Sequence, residues 1–250
     1  MSSFSLVFHR LASLPYFYSL AGKLLPWAAG LSIVLFVVGL YTGLALAPTD
    51  YEQGDSYRII YVHVPAAWMS MFVYVVLAIA GAIALVWRLK LAEVVARASA
   101  PIGASYTFLA LATGSIWGKP MWGTWWIWDA RLTSELILLF LYLGYMALQS
   151  AIDDRRTAAR AGAVLALVGV VNLPIIHYSV EWWSTLHQGP TVSKFDSPSI
   201  HLSMLIPLLL MALAFKIHFV TAVLARIRPE ILAREQRTQW VERLISPRQS

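Results

Sequence analysis

The sequence predicts an all-α integral membrane protein with six transmembrane helices. Three observations carry that expectation. Of 250 residues, 59% are hydrophobic and only 13% charged, where soluble domains keep roughly 25% charged residues. Six apolar runs of about 20 residues occur, the length needed to cross about 30 Å of hydrocarbon. Lys and Arg gather beside alternate ends of those runs.

The first run, Leu25–Ala47, follows Lys23 and stops before Asp50 and Glu52. The second, Pro65–Trp87, opens on a proline, whose fixed φ and missing N–H suit a first helical position, and closes on Arg88. The third, Ala98–Ile116, begins after Arg97 and ends at a tryptophan-rich stretch. Leu132–Ser150 lies between Arg131 and the Arg155/Arg156 pair, Arg160–Tyr178 stops before Glu181, and Leu202–Leu224 ends ahead of Arg226. The whole chain, 1–250, is expected to form one six-helix membrane domain without internal repeats.

Orientation follows from the basic residues, which accumulate on the cytoplasmic side. With the N-terminus inside, 15 of the 19 Lys and Arg residues fall on one side; Arg58, Lys119, Arg131 and Lys194 remain outside, among six acids. Both termini are therefore expected to be cytoplasmic. Residues 1–22 read as an amphipathic segment lying in the membrane plane, with no small-residue cleavage site before Lys23, and 225–250 as a basic tail. The net charge of +6 and pI of about 9.7 then report topology, not nucleic-acid binding. No cysteine is present, which excludes disulfides, thiolate nucleophiles and Cys metal ligands. No Walker A pattern occurs, and no nucleophile and base pair suggests an enzyme.

The unusual residues map to three outer segments, about 48–64, 117–131 and 179–201. The middle one reads WGKPMWGTWWIWDAR and holds Trp117, Trp122, Trp125, Trp126 and Trp128. An interfacial aromatic belt needs only one or two rings per span end. Five rings, bent by Gly118, Pro120 and Gly123 and followed by Asp129 and Arg131, suit an aromatic platform for a flat apolar ligand with polar edges. Arg58, Lys119 and Arg131 are candidate partners for ligand carboxylates. Four of six histidines, His63, His177, His187 and His201, also map outside. A lone histidine is ordinarily a hydrogen-bonded structural ring, but a planar iron macrocycle needs a ligand on each face. His63 and His187, read as lying in separate loops, suit that need better than His177 and His201 at span ends.

The run WGKPMWGTWWIWDARLTSEL resembles the WWD signature of the haem-handling proteins of cytochrome c biogenesis. Together with APTDYEQGDSYRIIYVHVPAAW, VNLPIIHYSVEWWSTLHQGPT and the six-span layout, it resembles the small haem exporter C branch of that family over roughly residues 20–225. The resemblance implies haem b held at the periplasmic face of the bacterial inner membrane. His63 and His187 would be the axial iron ligands, with Trp117, Trp122, Trp125, Trp126, Trp128 and Asp129 as WWD contacts. It also implies partners: the A and B subunits of an ABC transporter, a small single-span D subunit, and a periplasmic haem chaperone, the E protein, to which haem is delivered. Two other readings stand beside it. A haem permease would want polar residues within the spans, and an electron-transfer cytochrome b-type subunit would want paired histidines within helices. Glu135, four residues after Arg131, is expected to orient the loop as a helix-face pair.

Overall fold

The computed structural model describes residues 12–183, 187, 189, 192 and 197–246. Its regular structure is helical, with six segments long and apolar enough to cross a membrane. They comprise α1 (Leu14–Tyr41, extended by a π turn at Thr42–Leu46), α2 (Ile60–Trp87, entered through a 3₁₀ turn at Asp55–Ile59) and α3 (Lys90–Trp122). α4 (Ala130–Ala151), α5 (Arg155–Gly169) with α6 (Asn172–Trp182), and α7 (Leu202–Glu235) complete the six. A short α8 (Gln239–Ile245) follows.

α2 and α3 pack against each other most extensively, and α1 packs on α7. Their shared core is built from large side chains meeting small ones. Tyr142 of α4 is fully buried and its hydroxyl donates to Ser70 O at 2.7 Å. A Cβ at Gly103 would lie 2.2 Å from the Tyr142 ring, and one at Gly169 only 2.0 Å from the Tyr74 hydroxyl. These two glycines are sites where aromatic rings press against helix backbone, which no other residue would permit.

Four segments depart from the sequence reading. First, α1 already begins at Leu14, so the part of the amphipathic segment from Leu14 onward continues the first span instead of lying in plane; residues 1–11 lie outside the described residues. Leu14 packs in a small cluster with Val94, Ala98, Ile227 and Ile231, and the Arg228 guanidinium lies 4.5 Å from the Tyr18 ring centre. Second, α3 starts at Lys90 and α7 runs to Glu235. Charged residues that resemble loop and tail pair between these helices, Lys90 with Glu235, Arg97 with Glu230, and Arg234 with Glu93. Third, the fifth span breaks at Val170–Val171. Pro174 has no N–H for the Val170 carbonyl, which accepts from Leu173 N in a tighter turn, while the buried Asn172 side chain donates to Ser134 O at 2.8 Å.

Fourth, α2 begins five residues before Pro65. Arg58 organises this entry: Nη1 donates to Gly43 O and Ala47 O, carbonyls at the end of the α1 extension, and Nε donates to Asp55. His63 therefore stands in the first turn of a helix and not in a loop. The tryptophan-rich segment 117–131 divides likewise, since α3 continues to Trp122 and only 123–129 is irregular.

Candidate functional site

At the end of the bundle where α2 starts and α3 ends lies an open cavity. His63, Trp117, Trp122, Arg131, Glu135, His177 and His187 all line it.

His63 is set by α3. Its Nδ1 lies 3.0 Å from Ala110 O and 3.1 Å from Thr113 Oγ1. A carbonyl accepts only, so Nδ1 carries the proton and the neutral ring keeps its lone pair on Nε2. Gly114 makes room, because a Cβ there would sit 2.9 Å from His63 Cε1. Trp117 stands edge-on to the ring at 5.7 Å, and its Nε1 donates to Gln53 Oε1 at 3.0 Å. Gln53 is itself presented by a turn around Asp50, whose Oδ1 accepts from the backbone N–H groups of Glu52 and Gln53.

His187 comes from the 179–201 segment and is set by the 117–131 segment. Its Nδ1 lies 2.8 Å from Asp129 Oδ2, and its ring meets Trp122 at 4.7 Å between centroids. Burial pushes its pKa below the ordinary histidine value, against the opposing pull of the Asp129 carboxylate. The neutral form again places the lone pair on Nε2. Asp129 also acts on the helix that follows it, where its Oδ1 accepts from Leu132 N at 2.8 Å and caps α4. One carboxylate thus starts the fourth span and holds the histidine, a relationship common behind metal-bound imidazoles.

The sequence-predicted set separates into two groups. His63, His187, Trp117 and Trp122 line the cavity, and Asp129 stands behind His187 without lining it. Trp125, Trp126 and Trp128 lie beyond Gly123, whose positive φ of 75° ends α3, and none of the three lines the cavity. Trp128 is 77% exposed and Trp125 56%, while Trp126 packs edge-on against Trp128. Ser115 and Thr124 hydroxyls hold this turn through Trp125 O and Trp126 O.

Of the candidate carboxylate partners, only Arg131 lines the cavity. Arg58 is committed to the α2 entry, and Lys119 donates to Gly123 O; Lys194 lies outside the described residues. Glu135, read as structural support, proves to be a buried wall residue with one carboxyl oxygen that has no hydrogen-bond partner among the described residues. Sequence reasoning missed Gly114, Thr113 and Gln53, whose roles depend on contacts 50 to 64 residues away. Two imidazole nitrogens, indole edges and one guanidinium around an open cavity fit a planar, iron-bearing, carboxylate-edged ligand.

The comparisons agree with that chemistry. The family model for heme exporter protein C matches residues 7–242. The chain is 55% identical over 240 residues to "Heme exporter protein C" of Escherichia coli strain K12, covering 96% of this chain and 97% of that protein. It is 56% identical over 228 residues to the protein of that name from Bradyrhizobium diazoefficiens, covering 91% and 86%. It is 46% identical over 181 residues to a "Putative cytochrome c biosynthesis ccmC-like mitochondrial protein" of Marchantia polymorpha, covering 72% and 76%. A family match spanning nearly the whole chain, and relatives above half identity along its length, place this six-span helical protein in the heme exporter protein C family.

Proposed function

We propose that this protein presents haem b as cargo at the periplasmic face of the bacterial inner membrane, for delivery to a periplasmic haem chaperone. His63 and His187 would ligate the iron through Nε2, Trp117 and Trp122 would meet the macrocycle, and Arg131 would pair with a propionate. The observation that carries this reading is that two histidines from separate segments reach one cavity, each with Nδ1 already engaged. Each imidazole ligand is exchangeable in turn, which suits handoff. The protein's own part is to bind and orient, with no substrate bond made or broken by its side chains. Work with an ABC transporter's A and B subunits and a small D subunit belongs to the same reading; the description of the family as a heme exporter protein, lettered C, supports a complex of several components. Cytoplasmic termini are supported by the 15-to-4 partition of Lys and Arg.

The test is an optical spectrum and haem assay on the purified protein. Replacing either His63 or His187 with Ala is expected to remove most copurifying haem and to stop loading of the chaperone. Undiminished haem in both variants would refute the ligand assignment.

A further inference from the structure

A second concavity lies at the far end of the bundle. From its start near His63, α2 runs 28 residues to Trp87, roughly 42 Å at 1.5 Å per residue. There Arg88 adopts a positive φ of 53° and turns the chain directly into α3. Beside that turn, a recess is lined by Arg88, Lys90, Arg156, Arg160 and Arg234, with Glu93 as the one acid among its described lining residues. Its apolar wall comes from Leu85 of α2 and Ala159 of α5. One turn deeper, a Cβ on Gly81 would lie 3.2 Å from the Cα and Cβ of Ala163, so α2 and α5 are in close contact and shut the recess toward the bundle interior.

The charges in this recess do not cancel. Glu93 is taken by Arg234, and Lys90 reaches Glu235 at 3.2 Å. Arg88, Arg156 and Arg160 make no ion pair and no side-chain hydrogen bond among the described residues; Asp154, two residues before Arg156 and near enough to feel its charge, directs its carboxylate to Thr157. Three guanidinium groups around a hollow form a site for phosphate oxygens, which their planar forks bind in pairs. The surroundings say what carries the phosphate. Val86 and Trp87 are each 66% exposed and Val164 54%, on spans long and apolar enough for a membrane. A ligand here meets cations at the helix ends and apolar side chains immediately beyond them.

We propose that this recess binds the phosphate headgroup of an anionic phospholipid, such as phosphatidylglycerol or cardiolipin. Arg88, Arg156 and Arg160 hold the phosphate, and the acyl chains descend along the exposed faces of α2 and α5. Basic pockets between spans commonly take such headgroups. A bound lipid would fix the α2–α3 and α4–α5 turns, the end opposite the histidines.

The experiment purifies the full chain from membranes in detergent and measures retained phospholipid by native mass spectrometry. Short-chain phosphatidylglycerol is then added back to delipidated protein. The R88Q/R156Q/R160Q variant is expected to lower phosphatidylglycerol binding at least about tenfold, and R160Q alone to lower it less. A charge-matched control, R226Q/R237Q/R243Q, changes exposed arginines that do not line the recess and should retain lipid as the unaltered protein does. Equal losses in both triple variants would overturn the proposal in favour of bulk charge. Inorganic phosphate binding as strongly as the lipid would assign a free-anion site instead, and equal retention of phosphatidylcholine would remove the anionic preference. Should the triple variant unfold, undiminished lipid binding by R160Q, R88Q and R156Q individually would equally overturn it.

Discussion

His63 and His187 reach one cavity from two kinds of structure. His63 stands on a helix, and everything that fixes it belongs to the α2–α3 packing: a helix carbonyl, a hydroxyl one turn on, and the bare Cα of Gly114. His187 donates Nδ1–H to the Asp129 carboxylate, whose other oxygen caps α4, and its ring meets Trp122. The first histidine is positioned by the core of the fold. The second is tied to the turn at 123–129, so the tryptophan-rich segment helps to place a histidine that lies nearly 60 residues downstream. If both histidines ligate iron as proposed, the one held by the turn (the tethered wall) is the one expected to exchange first, ahead of the one held by the core (the rigid wall).

The sharpest way to break the comparison is to disturb the rigid wall without touching either histidine. Gly114→Ala introduces a methyl 2.9 Å from His63 Cε1, so the ring must move off its two anchors. Alanine in a helix interior is otherwise favoured over glycine by up to about 1 kcal/mol. The variant is therefore expected to melt within a few degrees of the unaltered protein while losing haem by tenfold or more. Haem retention at the original level would show that the His63 position is not fixed by α3.

In the tethered wall, capping and tethering can be separated. Asp129→Ala removes both. It should cost about 1 kcal/mol of stability for the cap, and 10- to 100-fold in haem affinity for the lost support behind an imidazole ligand. Asp129→Asn keeps a competent cap and an acceptor oxygen but loses the charge, so thermal stability should be preserved and affinity should fall by less than in the alanine variant. Equal haem loss in the two, measured by titration, would assign the tether's effect to the charge alone.

The contrast between the walls also explains what was legible in the sequence. The six spans follow from apolar length, and the set His63, His187, Trp117 and Trp122 from the resemblance and the outer-segment pattern. Their surroundings did not follow. Pro65 looked like a helix start because its missing N–H suits one, yet Arg58 closes the end of α1 and lets the helix begin at Ile60. The five tryptophans looked like one platform because they crowd into one short segment, yet the glycine at 123 turns the chain, leaving Trp117 and Trp122 on a helix facing the cavity and Trp125, Trp126 and Trp128 outside it. Arg58, Lys119 and Arg131 look alike as cations, and only their surroundings in the fold separate them. These are tertiary facts, set by contacts between segments that no local pattern encodes.

The smallest effect tests whether the rigid wall is redundant. Thr113 Oγ1 donates to Leu109 O at 2.6 Å and so is occupied by its own helix, while its oxygen lies 3.1 Å from His63 Nδ1. The Nδ1 proton is then shared with the Ala110 carbonyl, which no side-chain substitution removes. Thr113→Val has nearly the same shape and deletes only the hydroxyl, so it should leave the fold intact and lower haem affinity no more than a few-fold, below the range expected when an imidazole's main support is lost. A loss as large as that of Asp129→Ala would mean that the hydroxyl, not the backbone carbonyl, holds the ring. Both histidines would then depend on a neighbouring side chain, and the contrast between a backbone-held and a side-chain-held imidazole would fall.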